Sequence, residues 1–275
     1  MNDYITQCID GIFFKLKEPY DFSFLSKYGK VFKVFDDQDS GNICFGMEDG
    51  DEWQFIKYAG APTMRSNVTS AEAIERMKQT IPIYQDLAHP NLTKLINTVE
   101  TSSGIAMIFE WTNGECMGMQ YPDSRKKFME MPIETKLWVF DDILAFHAHV
   151  VEQGYVAIDF YDGSIIYDFD AGKTIICDIE MYSKMPYTNT MGRMWGSSRF
   201  MSPEEFQLGA AIDEVTNVYN MGATAFALFG EGRDRSMGTW KLSMEKFEVA
   251  KKAASDNRGL RQQSIEQFIL EWRAA

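Results

Sequence analysis

The chain has 275 residues and a mass of 31.5 kDa, which at roughly 150 residues per domain suits one large domain or two small lobes. Hydrophobic residues are 45% and charged residues 24%, a globular balance that argues against disordered, collagen-like and low-complexity classes. With 27 Lys+Arg against 40 Asp+Glu the net charge is -13, so nonspecific nucleic-acid binding is disfavoured.

No apolar run approaches the ~20 residues that span a bilayer. The N-terminal MNDYITQCIDGIFF lacks a basic stretch followed by a long apolar one, so neither membrane association nor a signal peptide is expected. Cys8, Cys44, Cys116 and Cys177 are too scattered for a zinc pair. They read as reduced core thiols of a cytoplasmic protein, with a disulfide framework as the alternative.

In chain order, Lys30–Phe35 alternates as a strand and ends in a polar turn, Asp36 to Asn42. Ile43-Cys44-Phe45 restarts an apolar run, and Asp49-Gly50-Asp51 signals a hairpin. Trp53, Phe55 and Lys57 then share one face of a strand. Thr69-x-x-Glu72 has the form of a capping box, and Ile74, Met77, Ile81 and Tyr84 follow at helical spacing. Pro82 is expected to kink this helix or end it early. Ile105 to Trp111 reads as another apolar strand, closed by Asn113-Gly114. Leu137, Phe140, Leu144, His147 and Val151 line one helical face, which makes His147 a core histidine. Two short strands, Ser164–Tyr167 and Thr174–Cys177, precede a buried helix carrying Val218, Met221, Ala225 and Leu228. Ser264-x-x-Gln267 caps a last helix with Ile265, Phe268 and Trp272 on one face.

Three charged residues stand at informative places. Lys57 ends a strand, where burying an ammonium requires an anion. Asp159 follows the apolar run Tyr155-Val156-Ala157-Ile158, and Asp178 follows Ile175-Ile176-Cys177. Each aspartate ends a β-like run and opens a loop, a frequent position for catalytic carboxylates.

This order of Lys, Asp and Asp resembles the protein kinase family. Gly196-Ser197-Ser198-Arg199-Phe200-Met201-Ser202-Pro203-Glu204 looks like G-T-x-R-Y-M-A-P-E, Asn217-Val218-Tyr219-Asn220-Met221-Gly222 like the D-V-Y-x-x-G helix, and Arg261-Gln262-Gln263-Ser264 like R-x-x-S. The resemblance implies an α+β, two-lobed kinase-like fold: an N-terminal extension (1–29), an antiparallel N-lobe with one helix (30–109), a hinge (110–115) and a mainly helical C-lobe (116–275).

Carried over residue by residue, the family pattern partly fails. Phe35 to Ile43 stands at the glycine-rich loop, where only Gly41 remains and Asp36, Asp37 and Asp39 would bring negative charge towards a triphosphate. A solvated acidic turn is the plainer reading of that stretch. Gln54-Phe55-Ile56-Lys57 matches V-A-I-K, so Lys57 would contact phosphates. The helix glutamate position falls at Thr80, so Lys57 is expected to pair with Asp178. Asp159 matches the catalytic-loop aspartate, with Ala157 and Ile158 replacing its His and Arg and Tyr161 replacing the loop lysine. Asp162 is an alternative carboxylate there. Asp178-Ile179-Glu180 matches D-F-G, and Ser164 the magnesium-binding Asn. Asp178, Ser164 and Glu180 are the implied metal ligands, Glu180 being otherwise an exposed acid. Phe109 would back an adenine pocket flanked by Gly41 and Ile43, the backbone of Glu110 and Thr112 would meet the base, and Glu115 could reach the ribose. Glu204 and Arg261 match the family's buried ion pair.

The resemblance implies a serine/threonine protein kinase-like transferase. It would bind ATP and Mg2+ and move the γ-phosphate to a hydroxyl of a protein substrate. The degenerate loop, Thr80, Ser164 and the lost arginine fit a pseudokinase acting as a regulatory binding module. Asp-x-carboxylate at 178–180 also occurs in small-molecule kinases of the aminoglycoside phosphotransferase kind.

Overall fold

The computed structural model describes residues 4–38, 40–231 and 233–275. The chain is mixed α+β with antiparallel sheets, and it divides into two units. One comprises residues 1–88 and 93–112; the other comprises 89–92 and 113–275.

The first unit opens with a hairpin, β1 (Ile5–Ile9) and β2 (Ile12–Leu16). Then come β3 (Lys30–Phe35), β4 (Asn42–Asp49), β5 (Glu52–Ala59), helix α1 (Ser70–Asp86), β6 (Leu95–Glu100) and β7 (Ile105–Glu110). The last five strands form one sheet in the order β3-β4-β5-β7-β6. Asp49 pairs with Glu52 across a two-residue turn, as the Asp-Gly signal implies. The sequence gives little warning of β6, whose residues are mostly half-buried or exposed. Residues before 30, read from sequence as an extension, supply Phe14, Leu16, Phe22 and Leu25 to the unit's core, alongside Ile43, Phe45, Ile56 and Tyr58.

Helix α1 starts where the capping box places it: Thr69 Oγ1 accepts the Glu72 N–H, and the Glu72 carboxylate accepts the Thr69 N–H. Pro82 does not end it early, because the helix continues to Asp86. A proline removes one backbone donor, and here the flanking turns stay anchored by buried Met77, Thr80 and Tyr84.

The second unit contains β8 (Glu115–Cys116), α2 (Pro122–Met129), α3 (Ile133–Glu152), β9 (Tyr155–Val156), β10 (Ile165–Asp168), β11 (Lys173–Ile176), β12 (Ser183–Lys184), β13 (Tyr187–Thr188), β14 (Ala211–Ile212), α4 (Glu214–Phe229), α5 (Met244–Ala253) and α6 (Ile265–Ala274). Helix α4 is buried from Thr216 to Phe229 and packs against α3, α5 and α6. Aromatic edges fill that junction, with Phe140 5.0 Å from Trp272 and Phe226 5.2 Å from Trp240 between ring centroids. Helix α6 buries Ile265, Phe268 and Trp272, the face its spacing predicts. His147 is fully buried with Nδ1 2.8 Å from the Ile143 carbonyl. Burial drives its pKa down to about 4, so it is a neutral core residue.

Among the described residues no helix is long and apolar enough to cross a membrane, and no disulfide is formed. Cys44 is buried and Cys116 and Cys177 are half-buried. Cys8 is exposed, so it is not the core thiol expected from sequence.

Candidate active site

In the second unit, β9 leads into a loop whose Ala157, Ile158 and Phe160 are buried while Asp159 is half-exposed. The buried run from Tyr155 to Ile158 ends here, and the carboxylate faces partly outward. Asp159 has φ 64°, and Asp178, at the end of β11, has φ 60°. Among the described residues only Asp10 is another non-glycine in this left-handed region. Such backbone costs on the order of 1–3 kcal/mol and persists only where its surroundings impose it.

Helix α4 imposes it at Asp159. The Asn217 amide donates to the Ala157 carbonyl at 2.7 Å and accepts the Ala157 N–H at 2.9 Å. One turn on, Asn220 Nδ2 donates to the Phe160 carbonyl at 2.9 Å. The residues flanking Asp159 are thus fixed by two amides on one helix face. Sequence reading missed this role, although two asparagines three apart in an otherwise apolar helix are the signal.

Asp162, weighed from sequence as an alternative carboxylate, is structural. It is buried, bonded by both Arg199 amino groups at 2.9 and 2.7 Å and by Arg125. Those arginines were also missed, since nothing local in α2 points Arg125 at residue 162.

Pairing of β10 with β11 brings the implied metal ligands to one end of the sheet. Ile165 lies opposite Ile176, and the Cys177 N–H donates to the Ser164 carbonyl at 2.9 Å. Ser164 therefore sits beside the strand end that carries Asp178, with half-buried Glu180 two residues on. Ser164 is buried, and its Oγ has no hydrogen-bond partner among the described residues. No group of three or more His, Cys, Asp or Glu gathers as a metal cage among them either. A buried hydroxyl oxygen beside one or two carboxylates fits magnesium, which keeps water and phosphate oxygens and needs no full protein cage.

Other groups share this locality. A Cβ on Gly196 would lie 3.4 Å from Asp159 Oδ1. Burial, and then the charges of Asp178 and Asp159, push the Tyr161 phenol well above its ordinary range. Burial likewise pushes Glu205 up to about 7; the Ser202 N–H and hydroxyl oppose this, and the Glu204 and Asp159 charges add to it. Below, Arg261 grips Glu204 at 2.7 and 3.0 Å.

The remaining implied residues lie mainly in the first unit. Lys57 on β5 stands opposite Cys44 of β4 and Met107 of β7. Ile43 is fully buried within the unit's core. Thr112 is half-buried. Phe109 is buried and meets Tyr84 edge-on at 5.0 Å. Glu110 is exposed and bonded to Lys94 at 3.0 Å. Glu115, in the second unit, is bonded to Lys127 at 2.8 Å, which holds its carboxyl below the usual range. Thr80 is buried and turns its hydroxyl to the Arg76 carbonyl of its own helix at 2.9 Å.

The described aspartates at the glycine-rich position lie at the surface, as the solvated-turn reading has it. Asp36 accepts the Lys15 N–H at 2.7 Å, and Asp37 is ion-paired with Arg65. Asp39 lies outside the described residues. Gly41, at φ 89°, leaves room for a Cβ only 3.3 Å from Ala73 Cβ and Ser66 Oγ, so a side chain there would be both strained and crowded.

Comparison with known proteins adds a distant likeness. No family model matches the chain. The chain is similar to maternal embryonic leucine zipper kinase of Danio rerio, 27% identical over 159 residues, 56% of this chain. The match covers 22% of that relative's length. With the two-unit α+β architecture, this likeness points to a kinase-like fold.

Proposed function

We propose that the chain is a kinase-like phosphotransferase that moves the terminal phosphate of ATP to a hydroxyl of a protein substrate. The observation that carries this reading is the pair of left-handed aspartates, 159 and 178, the first clamped by Asn217 and Asn220. Strain maintained at two carboxylates is a feature of functional sites.

Asp159 orients the acceptor hydroxyl and takes its proton as the oxygen attacks phosphorus and the bond to the leaving diphosphate breaks. Asp178 and Ser164 would hold the metal, with Glu180 as a further carboxylate. Magnesium, when bound, supplies charge neutralisation at the phosphates. Most of the catalysis is positioning and charge stabilisation.

The test is labelled-phosphate transfer by the wild type and Asp159→Asn. Transfer that disappears in the variant supports the reading; equal counts from both remove Asp159 as the base.

A regulatory pseudokinase is favoured by one set of observations, the ties of Asp36 and Asp37 and the inward Thr80. A thermal shift separates it. Binding Mg-ATP at a hundred times Kd adds roughly 2.7 kcal/mol, and no shift at millimolar nucleotide leaves the binding-module reading standing.

A further inference from the structure

The four cysteines are scattered along the sequence, but the fold brings two of them to one oxygen. The three-stranded sheet of the second unit runs β11-β10-β8. Cys116 lies on β8 opposite Ile166 of β10. Cys177 follows Ile176, the last residue of β11, which pairs with Ile165. Strand β10 therefore stands between the two cysteines, and the turn that enters it, Asp162–Ser164, presents the Gly163 carbonyl to both. Cys116 Sγ donates to that oxygen at 3.2 Å and Cys177 Sγ at 4.0 Å. Both thiols are half-buried, and no disulfide joins them.

Two sulfurs converging on one oxygen outline part of a tetrahedron. With zinc–sulfur bonds of about 2.3 Å and zinc–oxygen bonds of about 2.1 Å, tetrahedral coordination sets sulfur and oxygen about 3.6 Å apart. The two separations here fall on either side of that value, so an ion between the three atoms needs only small adjustments along both edges. The Gly118 N–H donates to Cys116 Sγ at 3.5 Å, the kind of outer contact that orients a ligating sulfur and offsets its charge. One ligand is a backbone oxygen, which no spacing of cysteines in the sequence marks.

We propose that Cys116, Cys177 and the Gly163 carbonyl bind a thiophilic divalent cation, zinc, with water in the fourth position. The two thiol protons leave to solvent as the zinc–sulfur bonds form, and no oxidation state changes. Thiolates select against magnesium, so this donor set is chemically distinct from the hard oxygens of Asp178, Ser164 and Glu180. Its ligands adjoin that set in sequence, Gly163 before Ser164 and Cys177 before Asp178, so a bound ion fixes the chain just ahead of both. Binding there is independent of whether the chain transfers phosphate.

The experiment titrates the full chain, with its thiols reduced, with zinc or cadmium in excess Mg2+. One ion should bind per chain, and cadmium should give the ultraviolet charge-transfer absorption of two thiolates. Zinc should slow alkylation of Cys116 and Cys177 by iodoacetamide about tenfold or more, read by peptide mass, and leave that of exposed Cys8 unchanged. This readout needs no variant, so it holds whether or not a substitution disturbs folding. Cys116→Ser and Cys177→Ser should each weaken zinc binding about tenfold or more, since losing a ligand costs at least what losing an outer contact does. Cys8→Ser should bind as the wild type does, and Asp178→Asn should keep the two-thiolate absorption.

A chain that takes up no zinc, zinc that magnesium displaces, cadmium bound without thiolate absorption, or equal alkylation of Cys116 and Cys177 with and without zinc overturns the assignment. None of these readouts involves a nucleotide, so their failure is distinct from a failure of labelled-phosphate transfer.

Discussion

Replacing Arg261 by Met separates structure from chemistry in the second unit. The Arg261 side chain is fully buried, bonds both Glu204 oxygens at 2.7 and 3.0 Å, and donates from Nε to the Ser255 carbonyl at 2.7 Å. Met fills a similar volume but leaves a buried carboxylate and a carbonyl short of donors. Breaking one side of a buried pair costs about 3–5 kcal/mol. Arg258 at 3.1 Å and the Thr216 hydroxyl at 3.0 Å still reach Glu204, which places the expected loss near the lower end, about 3 kcal/mol. Against a total stability of about 5–15 kcal/mol that is a large fraction, and urea unfolding followed by helical circular dichroism reads it directly. Its pH dependence is a second check. Burial pushes the Glu204 carboxyl up, but the Arg261 hydrogen bonds overrule it and leave the group below its ordinary value of 4.5. A depressed carboxyl stabilises above that ordinary value, and the contribution is lost as pH falls through the folded value. The gap between wild type and variant should be full at pH 7 and shrink as pH falls below 4.5 through the depressed folded value. Below its own melting point the folded variant should keep its transfer rate, unlike Asp159→Asn. A loss under about 1 kcal/mol, or a gap that does not change with pH, would refute this account of the pair.

Other expectations follow from single side chains. Asn217→Ala strips the Ala157 N–H and C=O of both partners, each worth about 1–3 kcal/mol when left unsatisfied; denaturation should show a loss of several kcal/mol, and an unchanged midpoint would mean the loop holds its shape without the clamp. Glu205→Gln tests the opposite titration. A carboxyl raised from 4.5 to about 7 keeps its proton in the folded state, so wild-type stability should fall as pH rises through that window, by up to about 3 kcal/mol. The Gln variant should lack that fall, and parallel pH curves would exclude a raised Glu205. Lys136 is buried, donates to the Met129 carbonyl at 3.2 Å and has no anion partner among the described residues. Lys136→Met should raise the melting temperature by a few degrees, equivalent to about 1 kcal/mol, and a drop would show that the ammonium holds the α2–α3 turn.

The fold was legible where local rules act alone. Asp49-Gly50-Asp51 turns the chain because a two-residue hairpin needs such residues, and Thr69 and Glu72 satisfy each other within one turn of helix. The acids of the site were legible because apolar runs ending in Asp leave the carboxylate at a loop. What stayed hidden was action at a distance. Arg125 and Arg199 converge on Asp162 from 37 positions away on either side, and Arg65 reaches Asp37 across β4 and β5. No pattern in a window of sequence marks such a pair. Pro82 misled for the reverse reason: a strong local rule was overridden by the packing of the turns around it.

Hydrogen-bond accounting adds to what motif spelling suggests about the candidate site. Native interiors pair nearly all their polar atoms, so each exception needs a cause. At the degenerate positions this chain is largely self-satisfied: Asp36, Asp37 and Thr80 have partners within their own unit. Among the described residues, the buried side-chain atoms without a partner include Asp141 Oδ1, His149 Nε2 and Gln262 Oε1 as well as four near candidate site residues or their supporting helix. Asn42 Oδ1 follows Gly41, Gln54 Oε1 stands across the sheet from Glu110, and Asn220 Oδ1 belongs to the helix that clamps the Asp159 loop. Ser164 Oγ lies at the strand end next to Asp178. A chain that had kept only the shape of a kinase-like fold would be under pressure to fill these gaps with apolar groups, since an unsatisfied buried oxygen costs about 1–3 kcal/mol. That Ser164 Oγ persists beside strained Asp178 argues that something polar outside the chain completes it.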